Sequence, residues 1–298
     1  MKEIKFYILI ISIISLIASI GLANDKKTAV TSIPLQTSMQ EYALGYYESD
    51  PTPYKIAYLT FDDGPTDWTA GILDILKKEK VPATFFVCGA WGDEKNLSHN
   101  RFRKYRDVLI RMVREGHIIG NHTLNHQNLA KLPPENIAKE IDDNQILFNQ
   151  ELKEYAQPMT LIRPPYGSPF IGPSSKDVRE KVGKILRKKG LVMLWSKHFD
   201  SSDSMEWVRG EWYEEGPRVN IKDEEFKEKM HRIYVRLISR ANGNGIVILF
   251  HDTHPTSMDI LSKVIEKLKS EGYRFGTLED YVKWRWHKSS SDLVAEQN

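Results

Sequence analysis

The sequence predicts an α/β fold: a parallel sheet of seven or eight strands, covered by helices and closed into a barrel as one domain. Two observations carry this. From Tyr54 onward, short apolar runs alternate with amphipathic stretches. That is the pattern of strand–helix–strand units that build parallel sheets, and this many units close rather than stay open. The runs also end, one after another, in ionisable side chains, as expected where chemistry gathers at the carboxyl ends of barrel strands.

The expected strands are KIAYLT (55–60), ATFFV (83–87), HIIGN (117–121), MTLIR (159–163), LVMLW (191–195), GIVILF (245–250) and YRF (273–275). Each is rich in β-branched or aromatic residues and short enough for a buried parallel strand. Between them, WTAGILDILKKE places Ile72, Ile75 and Leu76 on one helical face. YRDVLIRMVREG does the same with Val108, Met112 and Val113, and its Gly116 suits a C-cap. Further helical patterns span Glu135–Tyr155, Lys176–Lys189, Glu224–Ser239 and Met258–Gly272.

Composition narrows the class. The chain has 298 residues, 41% hydrophobic and 28% charged, with a formal net charge of +2. No basic block is long enough to argue for nucleic acid. The lone cysteine, Cys88, excludes an intramolecular disulfide and reads as a small buried hydrophobe within ATFFVCGA. At the N-terminus, Lys2 and Lys5 precede an uncharged run from Phe6 to Ile20, and Gly21 and Ala23 supply small residues. This predicts a signal peptide over 1–23, cleaved after Ala23, and an exported protein with no stable membrane insertion thereafter. An uncleaved anchor is the alternative, although the run is short against the roughly 20 residues a bilayer span needs. Residues 24–53 read as a linker and irregular lead-in, 54–287 as the folded domain, and 288–298 as a flexible tail.

The strand ends define a constellation. The first run ends in TFDDGP, with Asp62 and Asp63 adjacent. The third ends in HTLNH, with His122 and His126 four apart, a spacing that aims both imidazoles one way if they share a helical turn. RPPYG (163–167) follows the fourth run, HFDSSD with His198, Asp200 and Asp203 follows the fifth, and HDTH (251–254) follows the sixth. Alone, each is weak: DDG is commonly a turn, and a histidine pair commonly a solvated face. Together, in this order and at strand ends, they are specific.

TFDDGP, HTLNH, RPPYG, the DSSD segment and LFHD resemble the five ordered motifs of the polysaccharide deacetylase family, carbohydrate esterase family 4 or the NodB homology domain. The resemblance covers about Tyr54 to Trp286. It implies a distorted (β/α) barrel, a divalent metal (zinc, with cobalt or nickel as alternatives) and hydrolysis of N-acetyl groups on glycans, here those of N-acetylglucosamine units. It further implies Asp63, His122 and His126 as metal ligands, Asp62 as general base, Arg163 as the residue holding that base, and His251 as general acid. Tyr166 takes the position whose backbone N–H faces the oxyanion, and Leu249 lines the pocket for the acetyl methyl.

The chemistry supports these roles. Amide hydrolysis at neutral pH needs a better nucleophile than water, and bound zinc lowers the pKa of its water to about 7. Two imidazoles and one carboxylate leave such a site open. Adjacent side chains on a regular strand point apart, so Asp62 and Asp63 meet one site only if the chain leaves regular geometry there, as Gly64-Pro65 suggests. A carboxylate beside His251 keeps it charged; Asp200 is preferred over Asp203. Asp252 reads as a structural partner, and His198 and His254 as rim or surface residues.

Two segments, 89–105 and 204–226, are longer than the family's short form. The second carries Trp207, Trp212 and Tyr213, and Trp207 is the candidate for stacking on a sugar ring. Ser204 stands where the family usually has an aromatic. Peptidoglycan is the leading acetylated glycan; chitin oligomers, an exopolysaccharide and acetylated xylan stay open. An O-acetyl esterase is the alternative activity. A silent glycan-binding module is disfavoured, because every matched catalytic position is retained.

Overall fold

The computed structural model describes residues 52–90, 100–203, 224–241, 243–253 and 255–297. The expected signal peptide, nearly all of the lead-in, most of the 89–105 segment, Trp207, Trp212, Tyr213 and His254 lie outside the described residues. The elements in chain order are β1 (Ile56–Gly64), α1 (Thr69–Glu79), β2 (Thr84–Val87), α2 (Arg101–Lys104), α3 (Arg106–Arg114), β3 (Ile118–Asn121) and α4 (Pro134–Leu152). Then come β4 (Leu161–Ile162), α5 (Lys176–Arg187), β5 (Leu191–Val192), α6 (Glu224–Ile238), β6 (Ile246–His251), α7 (Pro255–Ser270), β7 (Arg274–Gly276), α8 (Leu278–Trp286) and α9 (Ser290–Ala295). The expected strand–helix alternation is present, with every strand pairing parallel.

The sheet order is β5-β4-β3-β2-β1-β6, with β7 also on β1. β6 runs along one edge of β1 from Ala57 to Asp62. The other edge is shared: β7 takes Ile56–Tyr58, and β2 takes Thr60–Gly64. The sheet curls until the chain beyond β5 reaches β6. There Ser196 N–H donates to the Val247 carbonyl (3.0 Å), Leu249 N–H to Phe199 (2.9 Å) and Ser201 N–H to Leu249 (3.0 Å). An irregular segment therefore closes the barrel in place of an eighth strand, which is the distortion the family resemblance implies.

β1 is buried at nearly every position, covered on both faces, and is apolar up to Leu59 before Thr60, Asp62 and Asp63 bring polar groups to its end. Phe61, fully buried, stacks on Phe85 of β2 (4.9 Å) and Phe250 of β6 (5.6 Å). The helices close against this sheet on faces slightly rotated from those the spacing indicates: α1 buries Ile72, Leu73 and Leu76 while Ile75 is only partly buried, and α3 buries Leu109, Ile110 and Met112 while Val108 and Val113 are partly buried; Ile260, Leu261 and Val264 of α7 are almost wholly buried. Gly116 adopts φ +81° just past α3, the left-handed exit that favours glycine.

The C-terminus corrects an expectation. Within the expected flexible tail, Ser290–Ala295 form a helix, α9. Thr277/Asp280 and Ser289/Asp292 are reciprocal capping boxes that start α8 and α9. α9 is packed down through Leu293, 1% exposed, and the Ser290 hydroxyl lies 2.6 Å from the Thr160 hydroxyl. The polar composition of the tail concealed one buried leucine between two caps.

Replacing Phe61 by Ala removes the middle ring of this stack. We expect a loss of about 3–5 kcal/mol, read as a lower urea midpoint with an unchanged slope; an unaltered midpoint would contradict the assigned core.

Candidate active site

The mouth of the barrel is built where β1 stops being regular. The β1–β2 register shifts between Asp62 and Gly64, and Asp63 takes φ +75°. This bulge answers the problem of the paired acids. Asp62 keeps its strand direction opposite His251 of β6, and Asp63 is turned out of alternation toward the loop after β3. Behind the bulge, Asp252 is fully buried; it accepts from the Thr69 hydroxyl (2.6 Å), and its N–H donates to the Asp62 carbonyl (3.2 Å). Burial raises its pKa to about 7 against the opposing Thr69 bond. A Cβ on Gly64 would lie 2.0 Å from its carboxylate, so only glycine fits there.

His122 and His126 converge, but not as a helical turn. Residues 122–126 form a loop, with Thr123 at φ +72° and His126 at φ +55°. Non-glycine residues in that region cost about 1–3 kcal/mol each, so the surroundings must impose them. Asn121 Oδ1 accepts from Thr123 N–H (2.9 Å), and Thr123 Oγ1 from His126 N–H (3.0 Å). Asn144 of α4, fully buried, donates to Asn121 Oδ1 (2.9 Å) and the Val87 carbonyl (3.0 Å) and accepts from Gly89 N–H (2.9 Å).

The two histidine Nε2 atoms each lie 3.1 Å from one oxygen, Asp63 Oδ1. That oxygen is buried and accepts no hydrogen bond. His122 Nδ1 lies 2.6 Å from the Arg163 carbonyl, which can only accept. Nδ1 therefore carries a proton, and whenever the ring is neutral its Nε2 lone pair is turned toward Asp63. Lone pairs facing at such a distance call for a cation between them. The electrostatics show how strongly this group draws positive charge, whether as a proton on an imidazole or as a bound cation. Burial pushes Asp63 upward, but the two imidazoles outweigh it and hold its carboxyl well below the usual carboxylate range. Burial depresses His122, but Asp62 and Asp63 outweigh it and raise its pKa. Asp63, His122 and His126 form the group that could hold a metal ion among the described residues.

Asp62 stands beside this group without joining it. Its Oδ1 accepts from Arg163 at 2.7 Å, and its Oδ2 lies 3.8 Å from His122 Nε2. On the other side is His251. Its Nδ1 lies 2.6 Å from Asp203 Oδ1, and its own N–H donates to Asp203 Oδ2 (2.7 Å). Burial alone would lower the His251 pKa; the Asp203 carboxylate outweighs it and raises it to about 10. The ring is thus an imidazolium at neutral pH. Asp203, not Asp200, is the partner. Asp200 bridges to Leu249, and its Oδ1 caps the following turn by accepting from Ser202 N–H (2.7 Å). That turn, with Ser202 at φ +51°, delivers Asp203 to the end of β6, where Ser257 also donates to it. Ser257 and the Asn121–Asn144 bracing were not foreseen. Asn144 falls on the buried stripe of α4, and a polar residue there is the signal that marks it.

Tyr166, 63% exposed at φ +63°, sets its ring edge-on against His126 at 4.8 Å. Leu249, 2% exposed, lies two residues before His251 on β6 and shares its face. His198 is exposed on the rim.

Two predictions follow from this geometry. In Asp203→Asn, His251 loses the group that raises it, so the alkaline limb of the kcat/KM profile should move to lower pH with metal content unchanged; a stationary limb contradicts the pairing. The sign follows from an upward shift. The pair's stabilisation is complete below the ordinary histidine value of 6.5 and is lost as pH climbs through about 10. The adjacent acids should separate: Asp62→Asn keeps its metal and loses about 10²–10⁴-fold in kcat, and Asp63→Asn loses the metal itself. Metal analysis and kinetics on both variants check this; equal metal loss would show one shared role.

Comparison with known proteins identifies the fold and the family. The polysaccharide deacetylase family model matches residues 49–192. The chain is 32% identical to the peptidoglycan-N-acetylmuramic acid deacetylase PdaC of Bacillus subtilis over 78% of its own length, spanning 40% of that relative. It is 29% identical to a peptidoglycan-N-acetylglucosamine deacetylase of Bacillus cereus, over 79% of this chain and 92% of that one. Among solved structures, the Bc1960 peptidoglycan N-acetylglucosamine deacetylase superposes with a TM-score of 0.59 at 27% identity, covering 83% of this chain and 95% of that one. With a curled parallel sheet and an Asp–His–His group at its mouth, the chain belongs to the polysaccharide deacetylase family of hydrolases.

Proposed function

We propose that the protein is a metal-dependent N-deacetylase that removes acetyl groups from N-acetylglucosamine units of peptidoglycan. The observation that carries the chemistry is Asp63 Oδ1, buried without a hydrogen bond and 3.1 Å from each histidine Nε2. Two imidazole nitrogens and one carboxylate oxygen suit zinc, with positions left open; cobalt and nickel fit the same donors. The choice of glycan is supported by the names of the relatives, both peptidoglycan deacetylases.

A divalent ion held by Asp63, His122 and His126 would supply Lewis acidity to the acetyl carbonyl and an acidified water. The remaining work falls to the chain. Asp62, with Oδ1 tied to Arg163, presents Oδ2 to take the proton of the attacking water. The His251 imidazolium gives its Nε2 proton to the departing amine, because Nδ1 is engaged by Asp203. Leu249 and the exposed ring of Tyr166 offer apolar surface beside these groups, suited to an acetyl methyl and a sugar face. The segment 1–23 supports export and cleavage after Ala23, which would bring the enzyme to cell-wall substrate.

Acetate release tests the reading. Peptidoglycan should yield acetate, chitin oligomers less, and acetylated xylan least, with all release abolished by chelator and restored by zinc. Full activity in chelator would refute the metal chemistry; preference for xylan would assign an O-acetyl esterase.

A further inference from the structure

We infer that Glu140 is a positioning residue for the metal site: from the rigid helix α4 it braces the loop that carries both histidine ligands. The inference rests on the metal-site reading above and names a residue that reading does not require. His122 and His126 sit on a five-residue loop that belongs to no helix or strand, with two residues in left-handed conformations. Such a loop keeps one shape only if its backbone donors are satisfied from outside.

Glu140 does this between the two ligands. Its backbone carbonyl accepts from Leu124 N–H (3.0 Å), its Oε2 from Asn125 N–H (2.9 Å) and its Oε1 from Asn125 Nδ2 (2.9 Å). Three acceptor atoms of one residue thus engage two consecutive loop residues. The support is stiff: α4 is anchored by Ile137, Ile141, Phe148 and Leu152, all nearly fully buried. Glu140 itself is only 7% exposed. A buried carboxylate on the core stripe of a helix is unfavourable unless its oxygens are needed as acceptors, and here both are used on the loop. Residues that orient metal ligands in this manner typically alter metal affinity by about 10–100-fold when removed.

The test measures the Zn²⁺ dissociation constant of the full chain by competition with a chromophoric chelator. Glu140→Ala should weaken binding by about 10–100-fold. Asn125→Asp should weaken it too, because it sets a second carboxylate, partly buried, against the buried one of Glu140. The double variant Glu140→Gln/Asn125→Asp should recover near-normal affinity, since the new amide donates to the new carboxylate and its oxygen still accepts from the backbone N–H. Wild-type affinity in Glu140→Ala overturns the brace, as does a double variant no better than Asn125→Asp. If Glu140→Ala does not fold, the Asn125→Asp pair decides alone. A wild-type chain that fails to bind Zn²⁺ overturns the metal reading and the brace with it, whereas normal wild-type binding unaffected by these variants overturns the brace only.

Discussion

Arg163 lies fully buried inside the barrel, and every side of its guanidinium is committed. Nε donates to the Met193 carbonyl (2.9 Å), one terminal nitrogen to Thr60 Oγ1 (2.8 Å) and Asp62 Oδ1 (2.7 Å), and the other to the Leu194 carbonyl (2.6 Å). Its carbon sits 4.2 Å from the Phe86 ring. Removing one partner of a buried ion pair costs about 3–5 kcal/mol, so this arginine and Asp62 hold each other in place. The same residue also orders the other half of the site, because its backbone carbonyl receives the His122 Nδ1 proton. One residue at the end of β4 thereby aims the base with its side chain and a metal ligand with its main chain.

This arginine also explains why the barrel can be irregular. β4 and β5 are two residues each, and the chain leaves the ladder at Met193. Carbonyls that lose ladder partners in a buried place must find donors elsewhere. Those of Met193 and Leu194 find them in Arg163. The fold gives up regular strand pairing where the site needs freedom, and the charged core residue supplies the missing donors. Of the nine left-handed non-glycine residues among the described residues, three (Lys80, Lys153 and His287) end helices; the other six, Asp63, Thr123, His126, Tyr166, His198 and Ser202, follow strand ends on the side of the mouth. Backbone strain concentrates where side chains must be re-aimed.

Much of this was legible in the sequence, and the failures are informative. The alternation of apolar runs reveals the strands, and the polar words after them reveal the mouth, because both are local properties of the chain. Adjacency of Asp62 and Asp63 even predicts the bulge, since no regular strand could use both. The histidine pair was read correctly in outcome and wrongly in cause: spacing of four suggests a helical turn, yet Asn121 and Thr123 build a loop with the same convergence. Asp200 and Asp203 could not be separated from sequence, since the choice depends on a turn at Ser202 that no local pattern announces. Glu140 and Asn144 offer one faint signal, polar residues on the buried stripe of a helix that otherwise reads as ordinary covering structure. Residues 91–99 and 204–223 lie outside the described residues, and the sugar-side role of Trp207 stays with them.

The division of labour between two neighbouring carboxylates reduces to one backbone event. Up to Asp62, β1 is held on both edges, by Phe86 of β2 and His251 of β6, and the side chain must point along the barrel interior toward Arg163. One residue later the β2 pairing skips, φ becomes positive, and Asp63 swings to the histidine loop. Asp62 could not serve as a ligand in the same way, because its Oδ1 is already bound to a guanidinium and the ligand position belongs to its neighbour. Asp63 could not act as base, because its free oxygen is the one the two imidazoles surround. The register thus underlies the proposed roles of acid, base and ligand: His251 and Asp62 face each other as strand partners, and Asp63, which escapes the register, is the one turned to the histidine loop.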